Sequence, residues 1–248
     1  MVRVISVANQ KGGVGKTTTA ISLAAGFARA GSRTLLIDLD PQCNATSGLG
    51  FDPTPRHPLV VGAPIRETLR ASTSGLDVLP GCRRFGDVER LAAADDPNRF
   101  QRMTRQLARE TQGYDFVLID CPPSLGPLTR AALAWSTEVL TPIQCEYFAM
   151  EGLVQMIEVI GEAMRRDGAS LQYGGVALTM CDPSLELTRE VEREVRDFFG
   201  EIVFKTTIPR DVAVSEAPSH GKSIVDYAPR SRGARAYIEL RMEVLERV

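Results

Sequence analysis

The chain has 248 residues, a formal net charge of −2 at pH 7 and a composition that is 44% hydrophobic and 24% charged. These values are ordinary for a soluble globular protein, and the length is enough to bury a substantial core. They exclude a chain that is basic throughout, so a surface for nucleic acid would have to be a local patch.

Apolar runs alternate with segments of helical periodicity along the whole chain. In chain order, the pattern predicts a strand over 2–8, a helix over 16–30, a strand over 33–40, an irregular loop over 51–64 and a strand over 76–80. A helix opened by the pair Asp96–Pro97 and ending near Thr111 follows, then strands over 114–120 and 138–144, a helix over 148–166 and a strand over 171–180. The chain closes with a charged helix over 185–199, a strand over 202–209 and a helix over 230–248. That last helix is predicted to have one apolar face, formed by Tyr237, Leu240, Val244 and Val248.

Strands that are apolar throughout and alternate with helices indicate a mainly parallel, twisted sheet with helices on both faces. No linker or internal repeat interrupts the pattern, so we expect one α/β domain over 1–248. Ligands of such sheets bind beyond the carboxyl ends of the strands. The residues that follow each strand are therefore the candidates for chemistry.

The first strand runs into the segment "KGGVGKTT", residues 11–18. Gly15, Lys16 and Thr17 match the end of the phosphate-binding pattern G-x-x-x-x-G-K-[ST], and Lys11 stands where that pattern has its first glycine. Backbone N–H groups of 12–17 are expected to hold phosphates at the helix N-terminus, with Lys16 along the β- and γ-phosphates. Thr17 is expected to bind Mg²⁺ and Thr18 to donate to the α-phosphate. The nucleotide-binding candidates of this loop are Lys11, Gly12, Gly13, Val14, Gly15, Lys16, Thr17 and Thr18.

Two further strand ends carry aspartates. Asp38 and Asp40 lie two apart on one strand and so project to the same face. Asp38 ends an apolar run and is expected inside, neutralised by a Mg²⁺-water shell or by Lys16. Asp40 lies at the strand tip, where it can orient or deprotonate an attacking water. Asp120 ends the apolar strand "FVLID", a pattern typical of an aspartate that holds Mg²⁺ through water.

Together these segments resemble the ParA/MinD group of P-loop ATPases, whose deviant Walker A motif is K-G-G-x-G-K-[ST]. The stretches "DLDPQCNAT" (38–46) and "DCPPS" (120–124) resemble the ParA switch I and switch II segments, with Cys43 in place of the usual glycine. The stretch "IQCEYFAMEGL" (143–153) and residues 208–237 also resemble the ParA/Soj partitioning proteins. The resemblance covers nearly the whole chain and is weakest over 51–113.

The resemblance implies an ATPase that uses ATP and Mg²⁺ and has slow turnover on its own. It implies catalytic roles for Lys11, Lys16 and Asp40 in a nucleotide-sandwich homodimer, where Lys11 reaches the partner's nucleotide. A lysine that precedes the loop cannot easily turn back to its own γ-phosphate, but a facing subunit can present it there. Pro209 and Asp211 are implied to contact the adenine, and the family has asparagine at 211.

The resemblance also implies non-specific DNA binding by the ATP-bound dimer, release on hydrolysis stimulated by a ParB-like partner, and a cytoplasmic, nucleoid-associated location. Two arginines of the family fall where this chain has Ser184 and Ala213. Each lost phosphate contact lowers both the affinity for DNA and its salt dependence. The cationic residues predicted to contact DNA instead are Lys205, Lys222, Arg230, Arg232 and Arg235.

Other functions stay open beside this one. An ATPase of the same kind could position a protein cargo, which the uncharged residues at 184 and 213 would permit. A MinD-like membrane-cycling ATPase requires a basic amphipathic tail, but the narrow apolar stripe of the closing helix suits the core better, so no membrane partner is expected. A nitrogenase-like reductase requires cysteines for a shared iron–sulfur cluster, and only Cys121 lies near the site.

The remaining sequence features agree with a cytoplasmic protein. The five cysteines are scattered, odd in number and without paired spacing, so they are expected to be reduced thiols. The N-terminus "MVRVISVANQ" runs directly into the first motif, so no signal peptide is expected. No apolar run approaches the roughly 20 residues that cross a bilayer.

Overall fold

The computed structural model describes residues 2–85, 99–146, 149–166 and 171–247, and the strands within them join in one sheet. The strands are β1 (Arg3–Val7), β2 (Thr34–Asp38), β3 (Arg70–Ala71), β4 (Asp77–Leu79), β5 (Phe116–Asp120), β6 (Glu138–Gln144), β7 (Gln172–Cys181) and β8 (Val203–Pro209). Their order across the sheet is β3-β4-β2-β5-β1-β6-β7-β8. All neighbours are parallel except β3 and β4, which are antiparallel. The predicted mainly parallel α/β sheet is confirmed.

Helices cover both faces of this sheet. They are α1 (Lys16–Arg29), α2 (Asn44–Gly48), α3 (Pro58–Val61), α4 (Arg99–Glu110), α5 (Pro127–Trp135), α6 (Ala149–Arg166), α7 (Glu186–Phe199), α8 (Val212–Glu216), α9 (Ile224–Tyr227) and α10 (Arg232–Glu246). Short 3₁₀ turns lie at Ile65–Glu67, Gly200–Ile202 and Ala217–His220. Within the described part of the chain, no helix combines the length and the apolar character needed to cross a bilayer.

The side chains of the central strands point alternately to the two faces of the sheet, so the core is divided into two layers. In β2, Leu36 packs with α1 and α10 residues such as Phe27 and Tyr237. Its neighbours Leu35 and Ile37 point the other way and pack with residues of α4, α5 and α6. Successive strand side chains point to opposite faces, so one apolar strand can serve both layers.

The structure adds elements that the periodicity did not reveal. The helices α2, α5, α8 and α9 and the edge strand β3 were not predicted. The segment 51–64 was predicted to be irregular throughout, but it contains the short helix α3, where His57 accepts a hydrogen bond from Leu59 N–H. The predicted helix start at Asp96–Pro97 and the predicted apolar contact of Val248 lie outside the described residues.

The sheet order brings the three candidate strand ends together. β1 and β2 lie on either side of β5, so the loop after β1 meets the aspartates that end β2 and β5. Val7 pairs with Asp120 in the register of β1 and β5, and Asp38 pairs with Asp120 in that of β2 and β5. The candidate site therefore lies at the carboxyl edge in the middle of the sheet.

Candidate functional site

The loop between β1 and α1 has the backbone of a phosphate-binding loop. Gly13 and Gly15 have φ values of 78° and 86°, in the left-handed region that favours glycine. Gly15 precedes α1, and no side chain caps the first turn, so its N–H groups are available to an anion. Asn9 holds the start of the loop: its side chain accepts from Lys11 N–H at 3.0 Å and donates to the Pro142 carbonyl at 2.8 Å.

The two lysines of the loop have different environments. Lys16 is buried, and its Nζ donates to the carbonyl oxygen of Lys11 at 2.8 Å. Burial lowers the pKa of Lys16, and the carboxylates of Asp120 and Asp40 oppose that effect. Lys11 points outward, and its Nζ forms an ion pair with Glu146 Oε2 at 3.2 Å. Only Lys16 is thus directed into the loop of its own chain.

Asp120 is fully buried beneath this loop. Neither of its carboxylate oxygens has a well-formed hydrogen bond within the described residues, although the Thr17 hydroxyl is close enough to affect its titration. Burial raises the pKa of Asp120 well above its ordinary value and the charge of Asp38 adds to the rise, while Thr17 and Lys16 oppose it. A buried carboxyl group whose oxygens lack well-formed hydrogen bonds suits a cationic ligand, which would favour its ionised form.

Asp38 has a different set of contacts. Its carboxylate accepts hydrogen bonds from Thr46 N–H at 2.8 Å, Thr46 Oγ1 at 2.6 Å and Asp40 N–H at 3.1 Å. Burial raises the pKa of Asp38 to about 6, and these hydrogen bonds restrain the rise. Asp38 therefore fastens the turn that follows β2. A contact between Asp38 and the nucleotide or its metal stays a prediction.

Asp40 lies at the open end of the same turn. It is 5% exposed, and its Oδ1 accepts from Gln42 N–H at 2.8 Å. Burial raises the pKa of Asp40, and Lys16 opposes the rise, so the carboxylate of Asp40 and the ammonium of Lys16 are close enough to interact. The sequence prediction put Asp40 beside the phosphate loop, and the structure brings them together.

These residues fit a nucleotide with hydrated magnesium. The uncapped amides and Lys16 suit phosphate oxygens, whereas Asp120 and Thr17 offer oxygen ligands of the kind that Mg²⁺ takes. In the described part of the chain, no three His, Cys, Asp or Glu side chains are arranged to chelate a metal directly. Magnesium commonly keeps several waters and uses substrate phosphates, so this arrangement matches a site in which Asp120 acts through water.

A cleft of about 610 Å³ continues from this loop toward β7, β8 and α10. Gly15, Thr18, Pro209, Asp211 and Tyr237 are among its lining residues. The Asp211 carboxylate is occupied: it accepts from Ala213 N–H at 3.0 Å and Gly233 N–H at 2.8 Å. Contacts of Pro209 and Asp211 with the adenine stay predictions. A larger groove of about 730 Å³ between α4 and α5 contains none of the predicted site residues.

The predicted cationic contacts fall into two groups. Arg230, Arg232 and Arg235 are exposed around the first turn of α10, and Lys222 is exposed near α9. Lys205 lies apart from them, early in β8, in a hollow that it shares with Glu201, Glu243 and Glu246. Arg247 lines the same hollow, and a contact of Lys205 with DNA stays a prediction.

The two uncharged positions lie at the carboxyl edge of the sheet. Ser184 is exposed after β7, and its hydroxyl donates to Asp182 Oδ1 at 2.6 Å. Ala213 is half-buried in α8. Ser184 lowers the pKa of Asp182, and Arg210 and Arg232 contribute, so these arginines lie near that carboxylate.

Sequence reasoning missed Glu146, Thr46 and Asn9 as parts of this site. Glu146 lies 135 positions from Lys11, and Asn9 binds a carbonyl 133 positions away. Thr46 was within the quoted switch I segment, but its hydrogen bonds to Asp38 depend on the turn after β2. Contacts that depend on the fold leave no local pattern in the sequence.

Comparisons with known proteins show relatives that are similar to this chain over its whole length. The AAA domain family (AAA_31) matches residues 2–173. The sporulation initiation inhibitor protein Soj of Bacillus subtilis (strain 168) is 44% identical over 250 residues, which cover 98% of each chain. The chromosome-partitioning ATPase Soj of Thermus thermophilus is 46% identical, over 100% of this chain and 97% of that protein. A Mycobacterium smegmatis structure named cobyrinic acid a,c-diamide synthase, with bound ADP and magnesium, has a TM-score of 0.85 at 33% identity and covers 99% of this chain and 95% of its own.

Proposed function

The chain belongs to the Soj/ParA family of chromosome-partitioning ATPases, and we propose that it hydrolyses Mg²⁺-ATP within an ATP-dependent homodimer. In this proposal the dimer binds DNA non-specifically in the cytoplasm and acts in the segregation of a chromosome or plasmid. A ParB-like partner stimulates hydrolysis, and hydrolysis releases the protein from DNA. The observation that carries the proposal is the contrast between buried Lys16, directed into its own loop, and outward Lys11.

Each residue then has a defined task. The loop amides and Lys16 bind the phosphates, and Asp120 and Thr17 orient the magnesium shell. Asp40 positions the attacking water; burial raises its pKa and makes its carboxylate a better proton acceptor. Magnesium supplies positive charge next to the leaving phosphates. Lys11 of the partner subunit supplies further positive charge where the transferred phosphoryl group becomes more negative.

This mechanism requires Lys11 to leave Glu146. Both side chains are partly exposed, 39% for Lys11 and 48% for Glu146. Exposed ion pairs of this kind contribute about 0–1 kcal/mol to stability. The attraction between Lys11 and the phosphates of a facing nucleotide can exceed that energy. Hydrolysis by an isolated subunit is therefore slow, because its own Lys11 is directed away from its own site.

Two substitutions test the proposal. Asp40→Ala removes the group that positions water, so this variant should bind ATP, accumulate as a dimer and lose hydrolysis. Lys11→Ala should bind ATP but remain a monomer without turnover. ATP binding, mass by light scattering and phosphate release measure these properties. Lys205→Ala removes one exposed positive charge elsewhere and serves as the matched control. A monomeric ATP complex of Asp40→Ala, or normal turnover of Lys11→Ala, would contradict the proposal.

A second candidate function is the positioning of a protein cargo by the same ATPase cycle. It is supported by Ser184 and Ala213, which stand where the family has arginines, and by the carboxylate of Asp182 beside Ser184. DNA retention of the ATP-bound protein, measured across a salt titration, separates the two functions. A dimer that hydrolyses ATP but is not retained on DNA at low salt would favour the protein cargo.

A further inference from the structure

Two cysteines meet at the carboxyl ends of neighbouring strands. Cys145 follows β6 and Cys181 ends β7, and their sulfur atoms are 3.0 Å apart. Cys145 N–H continues the pairing of the strands with a hydrogen bond to the Thr179 carbonyl at 3.3 Å. Met180, with φ 54°, interrupts the extended backbone just before Cys181. The ordinary alternation of side chains is thus broken where the two thiols come together.

This pair differs from the other three cysteines of the chain. Cys145 and Cys181 are 6% and 5% exposed, whereas Cys43, Cys82 and Cys121 are 1%, 3% and 0% exposed. The contact between the two sulfur atoms, in which either thiol can donate, lowers the pKa of Cys145 against the effect of burial. Burial raises the pKa of Cys43 and of Cys121 to about 12. Thiolates are the reactive form of cysteine, so Cys145 is the better nucleophile of this group.

We propose that Cys145 and Cys181 form a reversible intrachain disulfide, and that this pair is a modification site for a peroxide oxidant. The proposal rests on the contact between the sulfur atoms and on the position of the pair between two adjacent strand ends. A disulfide has an S–S distance of about 2.05 Å, so the two sulfurs must approach by about 1 Å.

The chemistry is a two-step thiol oxidation. The Cys145 thiolate attacks one oxygen of hydrogen peroxide, the O–O bond breaks, and with one proton the products are a sulfenic acid and water. The Cys181 sulfur then attacks the Cys145 sulfur, the S–O bond breaks, and a second water leaves with the thiol proton. In total, two thiols and one hydrogen peroxide give one disulfide and two waters. A dithiol reductant reverses the step by exchange.

The pair lies between two parts of the nucleotide site. Glu146, the ion-pair partner of Lys11, follows Cys145 directly. The Cys181 carbonyl accepts from Arg210 N–H at 3.0 Å, and Arg210 lines the cleft. A disulfide would therefore hold the segment that carries Glu146 against β7 and keep Glu146 close to Lys11. We expect oxidation to reduce ATP-dependent dimerisation, a consequence that rests on the proposed function.

Peptide mapping tests the site itself. Full-length protein is treated with a small excess of hydrogen peroxide, alkylated, digested and analysed by mass spectrometry. We expect a mass loss of about 2 Da and one peptide that links Cys145 to Cys181, both reversed by dithiothreitol. Cys43, Cys82 and Cys121 should take up alkylating reagent only after unfolding. The linked peptide should persist in the control variant Cys82→Ser.

The variant Cys181→Ser separates the two steps. Without its partner, Cys145 should stop at the sulfenic acid, which dimedone traps as a stable adduct. Folding of the variant is checked by its melting temperature. Unmodified Cys145 and Cys181 after full reaction of the peroxide, or a link between Cys43 and Cys82 instead, would overturn the proposal.

A partly oxidised sample of the Asp40→Ala variant tests the consequence for dimerisation. After ATP is added, monomer and dimer are separated by size, and the disulfide content of each is counted. We expect several-fold less disulfide in the dimer than in the monomer. Equal content in both would overturn the effect on dimerisation. The absence of any dimer in the reduced sample would instead count against the proposed function.

Discussion

Lys11 and Lys16 carry the same charge in one loop, but their side chains have different contacts, and the proposed function gives them different nucleotides. The ammonium of Lys16 is already inside the loop and can move from the Lys11 carbonyl to a phosphate oxygen with little backbone change. Lys11 is directed to the surface by Glu146. The two lysines differ in where their side chains lie and not in residue type. A substitution at one lysine therefore tests the role of that lysine alone.

The ion pair between Lys11 and Glu146 predicts a modest effect of Glu146→Gln. The neutral side chain holds Lys11 less firmly, so ATP-dependent dimers should form at a lower protein concentration. An exposed ion pair is worth at most about 1 kcal/mol, and a dimer releases two of them, which limits the change in the dimer dissociation constant to about thirtyfold. Concentration-dependent light scattering of the protein with a non-hydrolysable ATP analogue measures this constant.

Glu158→Gln is the control for that experiment, because Glu158 is an exposed glutamate on α6. It should leave the constant unchanged. If Glu146→Gln weakened the dimer, Glu146 would instead be needed in the dimer itself, and its contact with Lys11 in the single chain would have no restraining role.

Local patterns were sufficient to find the chemical groups of the site, but not how they are held. Gly15, Lys16 and Thr17 form a motif, and Asp40 and Asp120 each end or follow an apolar strand, so sequence alone selects them. The contacts of Asp38 to Thr46 and of Lys11 to Glu146 depend on turns and on strand order. Those features follow from the tertiary structure, and no periodicity encodes them.

At the scale of elements, Glu243 joins α10 to the edge strand β8. Its carboxylate accepts from Lys205 N–H at 2.7 Å and from Thr206 N–H at 2.6 Å, and the Thr206 hydroxyl also donates to it. Burial favours a higher pKa for Glu243, but the Thr206 hydroxyl and the two N–H groups outweigh burial and lower it. An edge strand has unpaired backbone groups, and Glu243 satisfies two of them.

We expect Glu243→Gln to lower the free energy of unfolding by about 1 kcal/mol at pH 7, because it removes the charge from these hydrogen bonds at a partly exposed site. The lowered pKa means that the stabilisation is present above the pKa of the unfolded chain and is lost as pH falls through the folded pKa. The difference between variant and wild type should therefore shrink below about pH 4. Urea unfolding at several pH values measures it.

Glu239→Gln, at an exposed position of the same helix, should have little effect at any of these pH values. A deficit of Glu243→Gln that stayed constant down to pH 3 would show that the charge of Glu243 has no part in it, and that only side-chain packing had changed.

Most of the long elements could be predicted and most of the short ones could not, with the nine-residue α5 and the three-residue β4 as exceptions. The strand predicted over 138–144 has the same bounds as β6, because its buried residues 139–143 are mainly apolar and polar residues lie at both ends. The helices α2, α8 and α9 have four or five residues, which is hardly more than one turn. Helices of that length are held by caps and tertiary contacts, as Asp211 holds α8 and Ser223 holds α9.

At the scale of the whole molecule, a net charge of −2 does not attract DNA, so binding depends on where the charges lie. Arg230, Arg232 and Arg235 surround the N-terminus of α10, whose first turn is capped by Ser231. Asp211 also accepts from Gly233 N–H in that turn, so the attraction for phosphate would come from the arginine side chains. A dimer would present two such groups, whereas Lys205 lies in a separate hollow with glutamates and Arg247.

The triple variant Arg230→Gln, Arg232→Gln, Arg235→Gln should therefore retain ATP turnover without DNA but lose most retention on non-specific duplex. Each phosphate contact contributes about 0.9 to the slope of log affinity against log salt, so a dimer that loses six contacts should lose about 5 from that slope. Lys205→Ala removes a cation outside the patch and should leave the slope unchanged. If the triple variant kept the wild-type slope, DNA would have to bind at another surface. If the wild-type protein showed no salt-dependent retention on DNA, the positioning of a protein cargo would be the function that fits Ser184 and Ala213.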